Sequence, residues 1–258
     1  MHSLFCLDSS ATINFDRRQI RDLILSIDRS LFQKDQIGSK LRYEPRYHIT
    51  HFNDLYNDSE PLRIILAYFY SQEWLDTIYP LILNSKRAFD KLQGITGFSK
   101  SDFNSIQHDD LAPFISSDMK RGGNVNTLSI YPNIQFSILL PGSSIPIHLD
   151  RSDKIASLMI YLPDSVQENH PKLGTSFWFP KSSSFNPPST YSHESYRFFR
   201  SNEEAYIMNN SLEYPIPFSS ACIFLFTSNN RSYHSISYPS NFDLGPRVSI
   251  NINYYACQ

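Results

Sequence analysis

Cysteine is scarce in this chain of 258 residues. Cys6, Cys222 and Cys257 are far apart and odd in number, so neither a disulfide framework nor a zinc-type pair can be drawn from them. A reducing compartment, the cytoplasm, is the expected setting. Charge of one sign is lacking too: the net charge is −2. The lack of a basic field to hold a phosphate backbone argues against nucleic acid as the main partner. Long hydrophobic runs are absent. The longest lies near Ile64 to Tyr70, far short of the roughly 20 residues that cross a bilayer. Met1 to Ala11 shows no basic stretch followed by an apolar core, so no secretory signal is read there. No internal repeat is visible. What is present is the balance of a globular chain, 41% apolar and 19% charged, long enough for one large domain.

The most informative stretch runs from Gln135 to Asp150. It reads as a strand, a Pro141-Gly142 turn, and a second strand ending in His148-Leu149-Asp150. Residues i and i+2 of a strand share a face, so His148 and Asp150 project side by side. An imidazole and a carboxylate at that spacing make two ligands of a divalent metal site. A third is needed, and two histidines with one carboxylate suit non-haem iron. Near the C-terminal end, Ala221 to Thr227 reads as a buried strand, followed by a polar turn and then His234. From Arg247 to Tyr255 the residues alternate strictly. Arg247, Ser249, Asn251 and Asn253 fall on one face, and Val248, Ile250, Ile252 and Tyr254 on the other. A polar strand face is ordinarily solvated. Here it is expected to line the inside of a barrel, with the apolar face under helices.

His148-x-Asp150, then His234, then Arg247-x-Ser249 thirteen residues on, resembles the 2-oxoglutarate/Fe(II)-dependent dioxygenase superfamily over roughly residues 128–255. The lead-in Gly142-x-x-Ile145-x-x-His148-x-Asp150 is similar to the prolyl-4-hydroxylase pattern, with Leu139 and Ile145 where that subfamily has tyrosines. The run Ser137-x-Leu139-x-Pro141-Gly142 also resembles the aspartyl/asparaginyl β-hydroxylases, which often lack the carboxylate of Asp150. The resemblance implies Fe(II) on His148, Asp150 and His234, with 2-oxoglutarate and O2 as cosubstrates. It further implies that Arg247, with Ser249, binds the distal carboxylate of 2-oxoglutarate. Gln135 and Ser137 share the inward face with Leu139 and are candidates for contact with cofactor or substrate.

The implied fold is mainly β, a double-stranded β-helix or jelly roll, with N-terminal helices packed on its outer sheet. Residues 1–127 are expected to form a helical region and 128–258 the catalytic core, within one integrated domain. Asn14 to Gln36 carries Ile20, Leu23, Ile24, Ile27 and Leu31 at helical spacing, and Pro61 to Phe89 reads as two helices broken near Pro80. Residues 92–98 loosely resemble the helix-to-loop segment before the barrel. His48 and His51 have no carboxylate at matching spacing, and His108-Asp109-Asp110 reads as a solvated loop. Residues 181–214, rich in Ser and carrying Pro187-Pro188 and several aromatics, read as a long loop, either a lid over the site or a surface insert, with the aromatics favouring the lid. The implied reaction is hydroxylation of a small molecule or peptide side chain, with release of succinate and CO2. The competing reading is a cupin-type barrel that serves as a metal-dependent isomerase or a ligand-binding module.

Overall fold

The computed structural model of the chain describes residues 4–8, 16–29, 33–34, 41–43, 68–69, 71–84, 129–150, 154–193, 196–228, 231–242 and 244–257. Strands β4 (Ser129–Leu139) and β5 (Ser144–Asp150) flank the Pro141-Gly142 turn. Ser143 N–H donates to the Leu140 carbonyl at 3.0 Å, and Gly142 has a φ of 79°. Proline second and glycine third at positive φ make this a type II turn, a place where other residues would be strained.

From residue 129 to 180, and again from 211 to 257, the chain alternates between two sheets. β6 (Lys154–Tyr161), β11 (Cys222–Thr227) and β13 (Arg247–Cys257) join β4 in the order β11-β6-β13-β4. β7 (Thr175–Pro180), β10 (Ser211–Pro215) and β12 (Tyr233–Ser237) join β5 in the order β10-β7-β12-β5. These pairings are antiparallel. Core strands on either side of the β7–β10 pair thus fall alternately in the two sheets, and β7 and β10 pair within one sheet, which is the winding of a double-stranded β-helix. Between the sheets lie Met159, Tyr161, Phe177, Phe224, Phe226 and Ile236.

The N-terminal part is less purely helical than expected. β1 (Leu4–Asp8) pairs with β11, β3 (Leu41–Tyr43) pairs with β4, and β2 (Gln33–Lys34) pairs with β3. Such short strands offer too few residues for a legible period. Helix α1 (Arg17–Ser26) begins where Asp16 accepts from the N–H groups of Arg18 and Gln19. It buries Ile20 and Ile24, and its Arg21 donates to Asp164 and to the Pro246 carbonyl. Helix α2 (Gln72–Asn84) does not break at Pro80 but runs through it. The reason is burial: Trp74, Ile78 and Ile82, four apart, are fully buried on one stripe spanning the proline. That burial outweighs the hydrogen bond that proline removes. Trp74 Nε1 also donates to the Tyr254 hydroxyl at 2.9 Å, fixing α2 to the apolar face of β13.

Residues 181–214 are not one long loop. They contain β8 (Tyr191–His193), β9 (Tyr196–Phe198), helix α3 (Ser201–Asn210) and the start of β10. Phe185, Phe199 and Ile207 pack with Ile147, Leu149, Trp178 and Tyr233. Ile147 and Leu149 alternate with His148 and Asp150 along β5, so this cluster occupies the opposite, outer face of the sheet. The segment therefore packs as the surface insert rather than the lid: α3, with Phe185 and Phe199, supports the site from behind. Among the described residues of this segment β9 flanks the site, pairing with β5 and setting Phe198 5.6 Å from the His148 ring.

Candidate metal centre

β5 and β12 lie side by side with His148 directly opposite His234. Cross-strand partners bring side chains on one face within contact, and the two imidazole centroids are 4.1 Å apart. Asp150 shares their face two residues on, and His234 Nε2 is 4.0 Å from Asp150 Oδ1. One ligand atom from each of the three can be chosen so that all lie within 4.8 Å of one another. All three side chains are buried.

The rings are oriented by their own strands. His148 Nδ1 lies 2.9 Å from the Pro146 carbonyl, and His234 Nδ1 lies 2.8 Å from the Ser232 carbonyl. A carbonyl only accepts, so each Nδ1 carries hydrogen, and Nε2 of the neutral ring presents the lone pair a metal needs. Burial, and then the neighbouring His234, hold the His148 pKa well below the ordinary histidine value, which keeps that lone pair available. Burial alone would raise the Asp150 pKa. The Lys154 ammonium, followed by the two imidazoles, outweighs it and holds the carboxyl well below the usual range. Lys154 Nζ donates to Asp150 Oδ1 at 2.8 Å, while buried Oδ2 accepts no hydrogen bond among the described residues. A buried carboxylate oxygen left without a donor is costly, and a cation among these three residues would satisfy it. The donor set therefore fits a divalent metal.

A pocket of about 520 Å3, including its open mouth, lies over the three residues. Its walls include Gln135, Lys154, Ser157, Asn251 and Asn253 on the polar side and Ile145, Met159, Phe226 and Ile236 on the apolar side. The alternating face of β13 points inward: Arg247, Ser249, Asn251 and Asn253 are buried. Arg247 Nη1 donates to Ser249 Oγ at 3.4 Å, Ser249 Oγ donates to Asn251 Oδ1 at 3.2 Å, and Asn251 Nδ2 donates to Ser137 Oγ at 3.2 Å. Gln135 and Asn251 reach the pocket wall, whereas Ser137, Ser249 and Arg247 stand behind it.

The Arg247 guanidinium lies between the Tyr161 and Phe218 rings, 4.9 and 4.8 Å from their centroids. Its Nε donates to the Leu173 carbonyl, and Nη2 has no hydrogen-bond partner among the described residues. Burial lowers its pKa, with the Tyr161 hydroxyl opposing. Among the described residues this buried guanidinium has one orphan donor and no carboxylate partner, so it could accept an anion brought from outside.

His48, His51, His108, Asp109 and Asp110 lie outside the described residues. Lys154 is the site residue that sequence reading missed. It stands just before an apolar run, where lysine normally marks the solvated end of a strand. The available signal was its position four residues after Asp150, at the start of the next strand.

Fold and site together define a jelly-roll barrel with a candidate two-histidine, one-carboxylate metal centre between its sheets. No protein-family model and no curated protein matches the chain. Among solved structures it is similar to a prolyl-4-hydroxylase from Pseudomonas putida, with a TM-score of 0.51, 12% identity, and 99% of this chain and 93% of that chain covered. It is also similar to HygX from Streptomyces hygroscopicus, solved with nickel, 2-oxoglutarate and hygromycin B bound, with a TM-score of 0.46, 11% identity and coverage of 98% and 83%. A third is the epimerase SnoN in complex with Fe3+, alpha ketoglutarate and nogalamycin RO, with a TM-score of 0.46, 9% identity and coverage of 98% and 79%. What the chain shares with the prolyl-4-hydroxylase at this identity is the fold.

Proposed function

We propose that the chain is an Fe(II)- and 2-oxoglutarate-dependent oxygenase that hydroxylates an unactivated C–H bond of a small molecule or peptide side chain, releasing succinate and CO2. The observation that carries this reading is the convergence of His148, Asp150 and His234 with both Nδ1 atoms anchored and Asp150 Oδ2 unsatisfied. Iron bound there supplies the dioxygen chemistry that no protein side chain provides. The chain's own part is geometry and electrostatics. His148 and His234 each present Nε2, Asp150 presents Oδ2, and Lys154 holds the other carboxylate oxygen. Arg247 and Ser249 are the candidate seat for the distal carboxylate of 2-oxoglutarate, since a planar fork takes a carboxylate through two bonds. Arg247 lies beyond the present pocket wall, so seating an anion on it requires side-chain rotation to lengthen the cavity. Gln135 on the wall and Ser137 behind it complete the polar side. The scattered cysteines favour a reducing, cytoplasmic setting, and no described helix is long and apolar enough to cross a membrane.

The test is succinate release from 2-oxoglutarate by protein supplied with Fe(II) and oxygen, without prime substrate. Slow succinate formation that Asp150→Ala abolishes is the expected result. Tight metal binding with no consumption of 2-oxoglutarate would instead favour a cupin-type isomerase or binding module.

A further inference from the structure

The ionised side chains of the pocket are already engaged. Among the described residues lining it, Asp150 is the carboxylate and Lys154 the ammonium, and the two bind each other at 2.8 Å. A charged group on a prime substrate would meet no unengaged opposite charge in these walls, and burying charge in that way is costly. The rest of the polar side is neutral, with Gln135, Ser157, Thr175, Asn251 and Asn253 among its residues. Selectivity there falls to hydrogen bonds between uncharged groups.

Within the inward row of β13, Asn251 is engaged at both ends of its amide and Asn253 at one. Asn251 Oδ1 accepts from Ser249, and its Nδ2 donates to Ser137. Asn253 is 4% exposed and lies opposite Ser157 in the pairing of β13 with β6. Ser157 Oγ donates to Asn253 Oδ1 at 3.3 Å. A carboxamide oxygen only accepts, so this bond has one direction. It uses the serine hydrogen and the amide oxygen, and it leaves the opposite function of each residue over. Asn253 Nδ2 has no acceptor among the described residues, and Ser157 Oγ keeps lone pairs for an incoming O–H or N–H. A donor and an acceptor thus stand one hydrogen bond apart, in the wall of the cavity that also holds His148, Asp150 and His234. A buried donor left unmet is costly, so the pair favours a ligand that meets it.

The complement of such a pair is a group that accepts and donates at once: a hydroxyl, or an amide that keeps an N–H. A carboxylate or a tertiary amide only accepts. It would satisfy Asn253 but set its own lone pairs against those of Ser157.

We propose that Asn253 and Ser157 form a specificity subsite for an uncharged group of the prime substrate that both accepts and donates hydrogen bonds, a hydroxyl or an N–H amide. The inference rests on the oxygenase reading above and names the substrate class of that same site.

The experiment uses the full chain, labelled with 15N and supplied with Zn(II) and 2-oxoglutarate, whose binding is measured first by calorimetry. The Asn253 side-chain amide resonance is identified by its absence in Asn253→Ser. N-methylacetamide, N,N-dimethylacetamide, acetate and ethanol are then titrated against it. One added hydrogen bond predicts that N-methylacetamide binds at least about threefold more tightly than N,N-dimethylacetamide or acetate. Ser157→Ala should erase the gap between the two amides, and Ser157→Thr, which keeps the hydroxyl, should preserve it. The tighter of ethanol and N-methylacetamide names the preferred group. Acetate binding as tightly as N-methylacetamide overturns the proposal, as does an Asn253 resonance that none of the four moves. A gap between the amides that survives Ser157→Ala also overturns it, since the extra methyl group is then excluded by shape alone. Failure to bind Zn(II) or 2-oxoglutarate removes the oxygenase reading, while the four titrations on the same protein still decide the subsite.

Discussion

The two faces of β13 invert the usual relation between polarity and solvent. One face carries Val248, Ile250, Ile252 and Tyr254, buried on the outside of the barrel, where Trp74 of α2 bonds to Tyr254. The other carries Arg247, Ser249, Asn251 and Asn253, also buried but turned to the interior. In a sheet with one wet side, the second set would face water. Here it faces a cavity, and its polar atoms bond to one another along the strand. The apolar face carries stability, and the polar face gives stability away in exchange for a place to bind.

Substitutions can break this comparison. On the apolar face, Trp74→Ala should destabilise the protein by about 3–5 kcal/mol, read by denaturant unfolding, with metal affinity per folded molecule unchanged. A large loss of metal affinity in that variant would mean the two faces are not separable. On the interior side, Asp150→Ala should lower metal affinity by at least about 100-fold, measured by titration with Co(II). Stability of the metal-free protein should also fall, because the buried Lys154 ammonium is left without the Asp150 carboxylate.

Arg247→Met is the sharper test. It should raise the 2-oxoglutarate concentration needed for half-maximal succinate release by about 10- to 100-fold. Metal-free stability should hold or rise, because a buried charge with no carboxylate partner among the described residues is replaced by an apolar chain of similar length. A fall in melting temperature with an unchanged 2-oxoglutarate requirement would make Arg247 structural. Tyr254→Phe should cost about 1 kcal/mol through the lost Trp74 hydrogen bond and leave turnover untouched.

The smallest effect concerns pH. The His148 pKa is depressed in the folded chain, whereas an unfolded histidine titrates near pH ~6.5. The folded state therefore binds fewer protons below that pH. The stability of metal-free protein should be constant above pH ~6.5 and fall as pH drops below it, by at most about 1.4 kcal/mol per pH unit for one such group. Thermal melts at several pH values check the sign. A stability that rises on acidification through this range would show that His148 is not buried neutral.

Much of this was legible because periodicity and burial agree in the core strands. His148 and Asp150 stand at i and i+2 after a Pro-Gly turn, and the alternation from Arg247 to Tyr254 survives intact in β13. The misreadings have a common physical origin, tertiary contact overriding local signal. Pro80 suggested a break, but the buried stripe of Trp74, Ile78 and Ile82 carries α2 through it. Helix α3 was invisible because Ile207 is its one buried residue, so it has no apolar stripe. Lys154 was missed because its partner Asp150 stands on a different strand, and no period within β6 points to it.

Helix α3 fixes β5 by a further bond, from Ile147 N–H to Glu204 Oε1 at 2.9 Å, but the pairing of β5 with β12 sets when the site can exist. His148 faces His234 across two strands far apart in sequence, and β13 follows β12. Pairings so distant in sequence are slow to form. Synthesis runs from the N-terminus, so the chain between β5 and β12 is made before His234 can meet the other two residues. A metal centre built from these three residues would therefore be complete only once β5 and β12 have paired, and an ion would meet a formed strand pair rather than a single strand.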